Sequence, residues 1–587
     1  VATLFSKNTR FHWLKESIQN LRVANRNFLM ICCVLLFEFA GHAQSASTLP
    51  KIDMDHARNF GSLIVQDQNG RMKPMNTLAR EVIRKLSRKD ELYGLDANQV
   101  FISMTCYPEI WQKFQIIKVG KHEKISQLFN SQERISYEDL FDSDGVYKIK
   151  NEVRNAYNLK PVDRGVFEKE IIKLDERVNI VNMVFTGSFL RLFPVKGDKN
   201  NHWAAPVEGH NHMDENSSDH FPQKFFDTYT ASVKEAVVTN NWGDLNLLLN
   251  ELKQYQKKVG EAVYPSDTKI KAEIILNQLD IFTRLGSFYG LLGLYLLTLL
   301  FTSIFNPRLQ LKKFFKIGLV VLIGCFVLQT AGLVLRWYVS GRAPWSNGYE
   351  SMIYIGWTTM LAGLLFARKT LGGLAACCIL ASVVLMVAHL SWLDPEITPL
   401  VPVLKSYWLT IHVSLEAGSY GFLVLGAIIG ALNLILMIFA TNQNQHRMER
   451  IIIELSYTSE MTIIGGLIML SIGTYLGGVW ANESWGRYWG WDAKETWALV
   501  SILVYSFILH MRLIPGLQSK YAFNTATLFG FASVLMTYLG VNYYLSGLHS
   551  YAAGDPVPIP TFVYYTVSIL ILISILAYFR NRKILKL

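Results

Sequence analysis

The second half of the chain consists of apolar runs of about twenty residues separated by short polar connections. A helix needs about 20 apolar residues to cross about 30 Å of hydrocarbon, and only helices or closed barrels satisfy the backbone within a bilayer. We expect membrane spans at about 285–305, 317–338, 351–367, 371–390, 407–440, 460–480, 497–511, 522–545 and 561–579. A further run at 27–41 brings the number to about ten. The predicted fold class is therefore mainly α, a polytopic helical bundle in a membrane.

The chain divides into three predicted parts. Residues 1–44 hold a basic segment and the run at 27–41, followed by GHAQSAS, which fits either a first membrane span or a signal peptide with a small-residue cleavage site. Residues 45–284 are polar, and their helical periodicity predicts a mostly helical domain outside the cytoplasm. In that domain Asn69-Gly70 indicates a turn after a strand, and Asn76-Thr77 the cap of a helix. Residues 285–587 form the membrane domain in this prediction.

The positions of the basic residues matter more than the formal net charge of +11. Four connections between the apolar runs are basic, 306–316, 367–369, 446–450 and 512–520, and so is the segment 580–587 after the last run. All five fall on one side of the predicted membrane, which is the distribution that orients membrane proteins with positive loops in the cytoplasm. We therefore expect the domain at 45–284 and the segment 480–497 to lie outside, and we expect membrane lipid rather than nucleic acid as a partner.

The segment from Trp480 to Trp497, here called the tryptophan segment, lies between two apolar runs where membrane meets water. Its candidate binding residues are Trp480, Trp485, Tyr488, Trp489, Trp491, Asp492 and Trp497. A single interfacial Trp is ordinary, because indole favours the headgroup level. Five among eighteen residues, opened by two glycines, favour a surface for a large planar ligand over a simple interfacial belt. If the segment is helical, Trp485 and Trp489 stand one turn apart, as do Tyr488 and Asp492.

Histidines at the ends of the spans are the second set of candidates, because ionisable residues in a membrane are costly and usually functional. His412 begins the outward end of one span and His549 follows the outward end of another, so both would lie at the depth of the tryptophan segment. Two imidazoles on opposite faces of a planar cofactor are the ligands of a bis-histidine haem iron; two hydrogen-bonded interfacial histidines are the alternative. His510 ends a span on the inward side, and His389 is expected to be structural.

The outward loop at 336–352 carries Arg336 and Arg342. Haem has two propionate groups, and arginine is the preferred bidentate partner of a carboxylate. The two side chains are therefore candidate propionate contacts, with interfacial arginines that reach toward headgroups as the alternative.

These residues also carry a family resemblance. WGRYWGWDAKETWAL resembles the "WWD" signature of haem-handling proteins of cytochrome c biogenesis. SGRAPWSNGYESM, SYWLTIHV, FILHMR and YLSGLHSYA are similar to the CcsA branch, the System II cytochrome c synthase, over about 285–560. The domain sequence from FGSLIVQDQNGRMKP onward resembles, more loosely, the insert that precedes CcsA in fused CcsB–CcsA proteins.

The resemblance implies roles for the candidates. Haem b would enter from the cytoplasmic side, pass His510, and be held outside between His412 and His549 over the tryptophan segment. The two thiols of a Cys-x-x-Cys-His segment of apocytochrome c would then add to the haem vinyl groups to form thioethers. Asp492 would orient part of the surface or polarise the vinyl end. The chain would act in the cell's inner membrane as part of a holocytochrome c synthase, also called haem lyase.

The resemblance also implies partners. The CcsB portion of the family is not recognisable here, so the chain is either a CcsA-type subunit that needs a CcsB- or ResB-type membrane protein, or part of a fused protein. Apocytochrome c and a thioredoxin-like thiol reductant are the other expected partners. Two alternatives remain: a haem exporter or chaperone that does not ligate haem, and a membrane electron-transfer cytochrome. The last usually pairs its histidines in mid-membrane, whereas these stand singly at span ends.

Overall fold

A computed structural model describes residues 49–120, 122–160, 163–206, 221–306, 308–390, 393–400, 405–545 and 559–585. The apolar run at 27–41 and the cleavage-like sequence after it lie outside these residues, as does His549. Within the described chain, helices predominate and the strands are short.

Residues 49–279 form small helices and four two-stranded antiparallel sheets. The helices are α1 Met54–Gly61, α2 Met75–Ser87, α3 Ala97–Cys106, α4 Pro108–Trp111, α5 Glu123–Leu128, α6 Lys150–Asn158, α7 Val166–Phe185, α8 Phe221–Thr239, α9 Gly243–Val259 and α10 Asp267–Leu279. The strands are β1 Ile64–Gln66, β2 Met72–Pro74, β3 Glu91–Leu92, β4 Leu95–Asp96, β5 Ile117–Lys118, β6 Arg134–Ile135, β7 Phe193–Pro194 and β8 Trp203–Ala204. One apolar core joins most of these elements, with Phe101 and Trp111 fully buried in it.

The turn predicted at Asn69-Gly70 connects β1 to β2, and Gly70 takes a φ of +80° that glycine adopts without strain. The cap predicted at Asn76-Thr77 is wrong. The β1–β2 pairing runs as far as Pro74, so α2 begins immediately afterwards at Met75 and has no side-chain cap. The Thr77 hydroxyl instead donates to Glu273 at 2.8 Å, which ties α2 to α10.

The rest of the described chain is a bundle in which nine helices are long and apolar enough to cross a membrane. Their main α-helical segments are α11 Ile281–Phe305, α12 Lys312–Ser340, α13 Gly348–Ala362, α14 Leu371–Ala388, α15 Tyr407–Ile438, α16 Gln445–Trp485, α17 Ala493–His510, α18 Lys520–Leu535 and, after the short α19 Val541–Tyr544, α20 Thr561–Arg580. Turns of π-helix extend three of them, at Gly363–Ala367, Met536–Gly540 and Asn581–Leu585. The predicted mainly α polytopic fold is confirmed.

The helix ends differ from the predicted spans where polar residues continue a helix beyond the apolar run. α16 is the largest case: the run at 460–480 lies inside a helix of 41 residues that starts at Gln445. The first helix of the bundle begins at Ile281, just before the domain boundary predicted at 284/285.

α15 and α16 pack antiparallel at the centre of the bundle. Glycines allow the close approach: a Cβ at Gly466 would lie 2.8 Å from Leu423, and one at Gly426 would lie 2.9 Å from Ile463. A buried polar cluster adds α18, because the Asn433 amide donates to Asn524 at 2.8 Å. Such hydrogen bonds hold helices together where burial of apolar surface does not distinguish protein from lipid.

Residues 49–279 rest on one end of this bundle, here called the domain face. Lys85 of α2 pairs with Glu396, in the connection between α14 and α15, at 2.6 Å. Burial alone would lower the pKa of Lys85, but the carboxylate of Glu396 raises it above its ordinary value. The Thr268 and Tyr338 hydroxyls make a second contact at 2.9 Å. The domain, the 393–400 loop and the tryptophan segment therefore share one face of the bundle.

Candidate functional site

A cavity of about 560 Å³ lies where the loops of the domain face meet the ends of α15, α16 and α17. We call it the tryptophan cavity. Its lining includes Arg342, Trp345, Asn347, His412, Glu416, Tyr420, Thr474, Gly477, Trp480, Tyr488, Trp489, Lys494, Thr537 and Tyr538. The structure thus brings together five of the residues singled out from the sequence: His412, Trp480, Tyr488, Trp489 and Arg342.

His412 lies in the second turn of α15 and faces α16. Its Nδ1 donates a hydrogen bond to the carbonyl of Gly473 at 2.7 Å, which places the lone pair of the neutral ring on Nε2. The imidazole also lies against Gly477, where a Cβ would come within 2.6 Å of Cε1. A histidine whose Nδ1 is fixed by a backbone carbonyl is the arrangement found at histidines that ligate metals through Nε2.

The tryptophan segment is not one helix. α16 ends at Trp485, where Gly486 takes a left-handed φ of +70°, and α17 starts only at Ala493. The i,i+4 pairs expected of a helical segment therefore do not form. The break turns the intervening loop back over the ends of the two helices.

Within this loop and its flanks the aromatic rings take different positions. Trp480 is buried, and Trp485 packs edge-on against it at 4.8 Å between ring centroids. Trp489 lines the cavity, with Trp491 edge-on behind it at 5.8 Å. Trp491 is 72% exposed and holds a φ of +56°, uncommon for a bulky residue. Trp497 accepts a hydrogen bond from Thr537 through its carbonyl.

Asp492 begins α17 as its N-cap. Its side chain accepts from the backbone N–H of Lys494 at 3.1 Å, and Glu495 reaches back to the N–H groups of Gly490 and Asp492 at 2.7 and 3.2 Å. This reciprocal arrangement is a capping box, which satisfies amide groups that a helix start leaves unpaired. Asp492 is buried and does not line the described part of the cavity, so its observed contacts hold the loop on the helix.

Arg336 and Arg342 share one buried carboxylate. Glu350, with no exposed surface, accepts from Arg336 Nε at 2.9 Å and from Arg342 Nη1 at 2.6 Å. The backbone N–H of Ser346 adds a third hydrogen bond at 3.0 Å. Arg342 borders the tryptophan cavity, whereas Arg336 borders a second cavity, of about 680 Å³, between the domain and the bundle. Both guanidinium groups thus have a structural partner that the sequence pattern did not reveal.

The remaining histidines lie elsewhere. His510 ends α17 at the opposite end of the bundle, exposed, with Nδ1 donating to the carbonyl of Ser506 at 2.7 Å. Arg512 follows it and pairs with Glu460 of α16 at 2.6 Å. His389 borders the second cavity and packs edge-on against Tyr349; its burial lowers the pKa below the ordinary value of histidine.

Glu416, Lys494 and Glu495 are charged residues of the cavity lining that were not among the candidates. Glu416 is buried one turn after His412, and Lys494 stands in the first turn of α17. The signal for Glu416 was present, since a carboxyl in an apolar run is a functional candidate by default. Thr537 and Tyr538 reach the cavity from a π-helical turn, a distortion common at functional sites and invisible in hydropathy.

The described residues contain no group of three or more His, Cys, Asp or Glu that could hold a metal ion. The protein side of a metal site in the tryptophan cavity would start from His412. Aromatic walls and a single fixed imidazole suit a metal that is already bound in a planar organic ring better than they suit a free metal ion.

Comparison with known proteins gives the family. Residues 345–549 match the family model described as Cytochrome C assembly protein. Protein NrfI of Wolinella succinogenes is 43% identical over 508 residues, which cover 86% of this chain and 55% of that protein, so the chain spans about half the length of this relative. The cytochrome c biogenesis protein CcsA of Prochlorococcus marinus is 34% identical over 291 residues, 45% of this chain and 94% of the relative. CcsA of Chlamydomonas reinhardtii is 37% identical over 269 residues, 45% of this chain and 72% of the relative. The chain belongs to the CcsA family of cytochrome c biogenesis proteins.

Proposed function

We propose that this chain binds haem b in the tryptophan cavity, presents it on the outer side of the inner membrane and, with a CcsB- or ResB-type part, attaches it to apocytochrome c. The observation that carries the proposal is His412, fixed by Gly473 and Gly477 beside indole rings in a cavity of about 560 Å³. Membership in a cytochrome c biogenesis family supplies the context in which such a site handles haem.

The cavity has the properties that a porphyrin requires. Its volume falls within the ordinary range of about 300–1,000 Å³ for ligand pockets. Trp480 and Trp489 offer aromatic surface for dispersion and apolar burial of the macrocycle. His412 offers Nε2 to the iron, and the resemblance assigns the opposite axial position to His549.

Attachment then needs little chemistry from the protein. Each cysteine thiol adds across a vinyl group: a carbon–sulfur bond forms, and the thiol hydrogen ends on the neighbouring carbon, with no net change of oxidation state. The thiols must be reduced beforehand, which is the role of a thioredoxin-like partner. Holding thiol and vinyl group together supplies a large effective molarity. We therefore assign the chain a binding and positioning role within a haem lyase, and Asp492 a supporting one.

The arrangement of charges supports the proposed orientation. Arg368, Lys369, Arg447 and Arg582 lie near the ends of the bundle helices remote from the domain face. Positive connections face the cytoplasm in membrane proteins, which would place the domain and the tryptophan segment outside. His510, at the cytoplasmic end, would then be an intramembrane relay for haem on its way out.

The alternative is an exporter or chaperone that binds haem without ligating it. An electron-transfer cytochrome is less favoured, because His412 and His510 stand at opposite ends of the bundle rather than as a mid-membrane pair. Covalent holocytochrome formed on co-expression with an apocytochrome would separate the lyase from both.

The test of the site is the visible absorption spectrum of the chain purified in detergent after co-expression with a CcsB-type partner. We expect a six-coordinate, low-spin haem spectrum that is diminished in His412→Ala and in His549→Ala and partly restored by added imidazole. His446→Ala is the matched control, because the side chain of His446 is 96% exposed near the start of α16. Absence of haem from the parent, or unchanged spectra in both variants, would contradict the assignment.

A further inference from the structure

Most charged groups of the tryptophan segment already have a partner within the protein. Asp492 and Glu495 form the capping box at the start of α17. Arg487 lies 3.8 Å from Glu495, and Glu483 accepts a hydrogen bond from Ser406 at 3.1 Å. These contacts hold the shape of the loop.

Lys494 is different. It stands in the first turn of α17, it lines the tryptophan cavity together with His412 and Trp480, and it forms none of the ion pairs found in the described part of the chain. Its backbone N–H serves the Asp492 cap, so the direction in which the helix presents this residue is fixed. A cation is therefore held at the wall of a cavity that also carries several aromatic side chains.

The charge of Lys494 is acted on first by Asp492, two residues before it, and then by Glu416 on the opposite wall. Glu416 of α15 is buried, lines the same cavity and, with Asp492, is the acidic group whose charge acts on Lys494. Its Oε1 accepts a hydrogen bond from Thr474 at 2.8 Å, which anchors the carboxyl to α16 rather than to the lysine. An anionic group entering the cavity would find a cation whose two acidic neighbours, Asp492 and Glu416, are each held by a hydrogen bond to another group.

Arg336 and Arg342 do not supply the cation for an entering anionic group, because both already pair with a carboxylate of the protein. Arg336 and Arg342 both donate to Glu350, and a carboxylate that drew either guanidinium away would break an ion pair whose acidic member is fully buried. Removing one member of such a pair leaves an uncompensated buried charge, which is strongly unfavourable. Lysine, a compact charge on a flexible stem, can meet a mobile carboxylate without that cost.

We propose that Lys494 is the cationic group that pairs with a propionate carboxylate of haem in the tryptophan cavity, where the buried carboxyl of Glu416 on the opposite wall competes with the propionate. This inference rests on the proposed function. It makes the site selective for metalloporphyrins with free carboxylates over neutral ones, a property that ligation by histidine alone would not give. Lys494 is a binding and positioning residue, since it is not required for bond formation.

The experiment compares haem with its dimethyl ester, which keeps the iron and the macrocycle but loses both negative charges. The full chain, with its CcsB-type partner and stripped of haem, is titrated with each ligand, and the low-spin Soret band gives Kd. Parent protein should bind haem more tightly than the diester. Lys494→Met should weaken haem binding by roughly 10- to 100-fold, the usual range for a charge-assisted hydrogen bond, and leave the diester unaffected.

Three further variants make the result specific. Lys494→Arg keeps the positive charge and should retain most of the preference for haem. Glu416→Gln removes the carboxyl that competes with the propionate and should tighten haem binding while leaving the diester unchanged. Lys520→Met is the matched control, because Lys520 lies over the ring of Tyr457 at the start of α18, away from the domain face.

The outcomes separate this inference from the proposed function. Equal affinity of the parent for both ligands, or a Lys494→Met variant that weakens both ligands alike or neither, would overturn the role of Lys494 and leave the haem site standing. Binding of neither ligand by the parent would overturn the haem site, and the role of Lys494 with it.

Discussion

At the scale of single residues, the position of the His412 ring depends on two glycines of α16. Gly473 supplies the carbonyl that orients the imidazole, and Gly477 supplies the space in which the ring lies. Both are consequences of packing between α15 and α16, so the orientation of the proposed iron ligand is set by the neighbouring helix.

Gly477→Ala tests this dependence. A Cβ there would lie 2.6 Å from Cε1 and 2.8 Å from Nδ1 of His412, so the ring must move and its hydrogen bond to Gly473 must lengthen. We expect haem affinity to fall by about tenfold or more, the usual consequence of losing such a bond. The low-spin Soret absorbance per protein measures it, and added imidazole should restore part of the signal.

Gly324→Ala is the control for this variant. Gly324 also lies within a helix of the bundle, but a Cβ there meets nothing within 4 Å, so the spectrum should stay as in the parent. An unaltered spectrum in Gly477→Ala as well would show that the His412 ring does not hold the iron in this orientation.

The sequence allowed some of these residues to be predicted and hid others. His412 and the tryptophan segment could be placed at one depth because hydropathy locates the ends of spans, and the structure brings His412, Trp480 and Trp489 to one cavity. The commitment of Arg336 and Arg342 to Glu350 could not be predicted, because it depends on how the chain turns between α12 and α13.

At the scale of elements, the tryptophan loop is held by the start of α17. The loss of an N-cap side chain costs about 1 kcal/mol, and here the capping box also holds Gly490 in the loop. The predicted lengths of the helices came from their apolar residues. The break at Gly486 could not be placed, since glycines and aromatic residues occur throughout this stretch.

Substitution of Asp492 distinguishes a capping from a catalytic role. Asp492→Ala should free the loop and raise the rate of haem loss several-fold, whereas Asp492→Ser retains an N-cap oxygen and should keep both haem retention and the yield of covalent cytochrome close to the parent's. Haem loss to an excess of apomyoglobin gives the rate. If Ser proves as damaging to covalent attachment as Ala while haem retention is normal, the carboxylate acts in the chemistry and the capping role is insufficient.

At the scale of the whole molecule, the 393–400 loop connects the domain to the cavity. Glu396 pairs with Lys85 of the domain, the carbonyl of Thr398 accepts from Arg342, and Leu400 lines the tryptophan cavity. The position of the domain on the bundle thus affects the wall of the proposed haem site. Hydropathy predicts that domain and loop are on one side of the membrane, but no local pattern predicts which residues meet.

Charge reversal tests this connection. Lys85→Glu places like charges together and should lower the free energy of unfolding by about 1 kcal/mol, since the pair is partly exposed. The double swap, Lys85→Glu with Glu396→Lys, should recover most of the lost free energy of unfolding. The rate of haem dissociation should rise in Lys85→Glu and return toward the parent's rate in the double swap. Thermal unfolding of the full chain in a double-mutant cycle measures the coupling.

Arg58→Glu is the comparison for the charge reversal, because Arg58 pairs with Asp55 within α1 and both side chains are largely exposed. It should leave haem dissociation unchanged. A double swap no more stable than Lys85→Glu alone would mean that the 2.6 Å contact does not join the two parts in solution.

The length of α16 has a mechanical consequence. A helix of 41 residues is about 60 Å long, twice the thickness of the hydrocarbon it crosses. Glu460, in the first half of this helix, pairs with Arg512 near His510, and Gly477, which lies against the His412 ring, follows about 25 Å farther along. Tilting this stretch of about 25 Å by about 2° displaces one end relative to the other by about 0.9 Å, more than the range over which a hydrogen bond keeps its strength. A displacement of α16 near one membrane surface therefore changes the positions of its residues near the other.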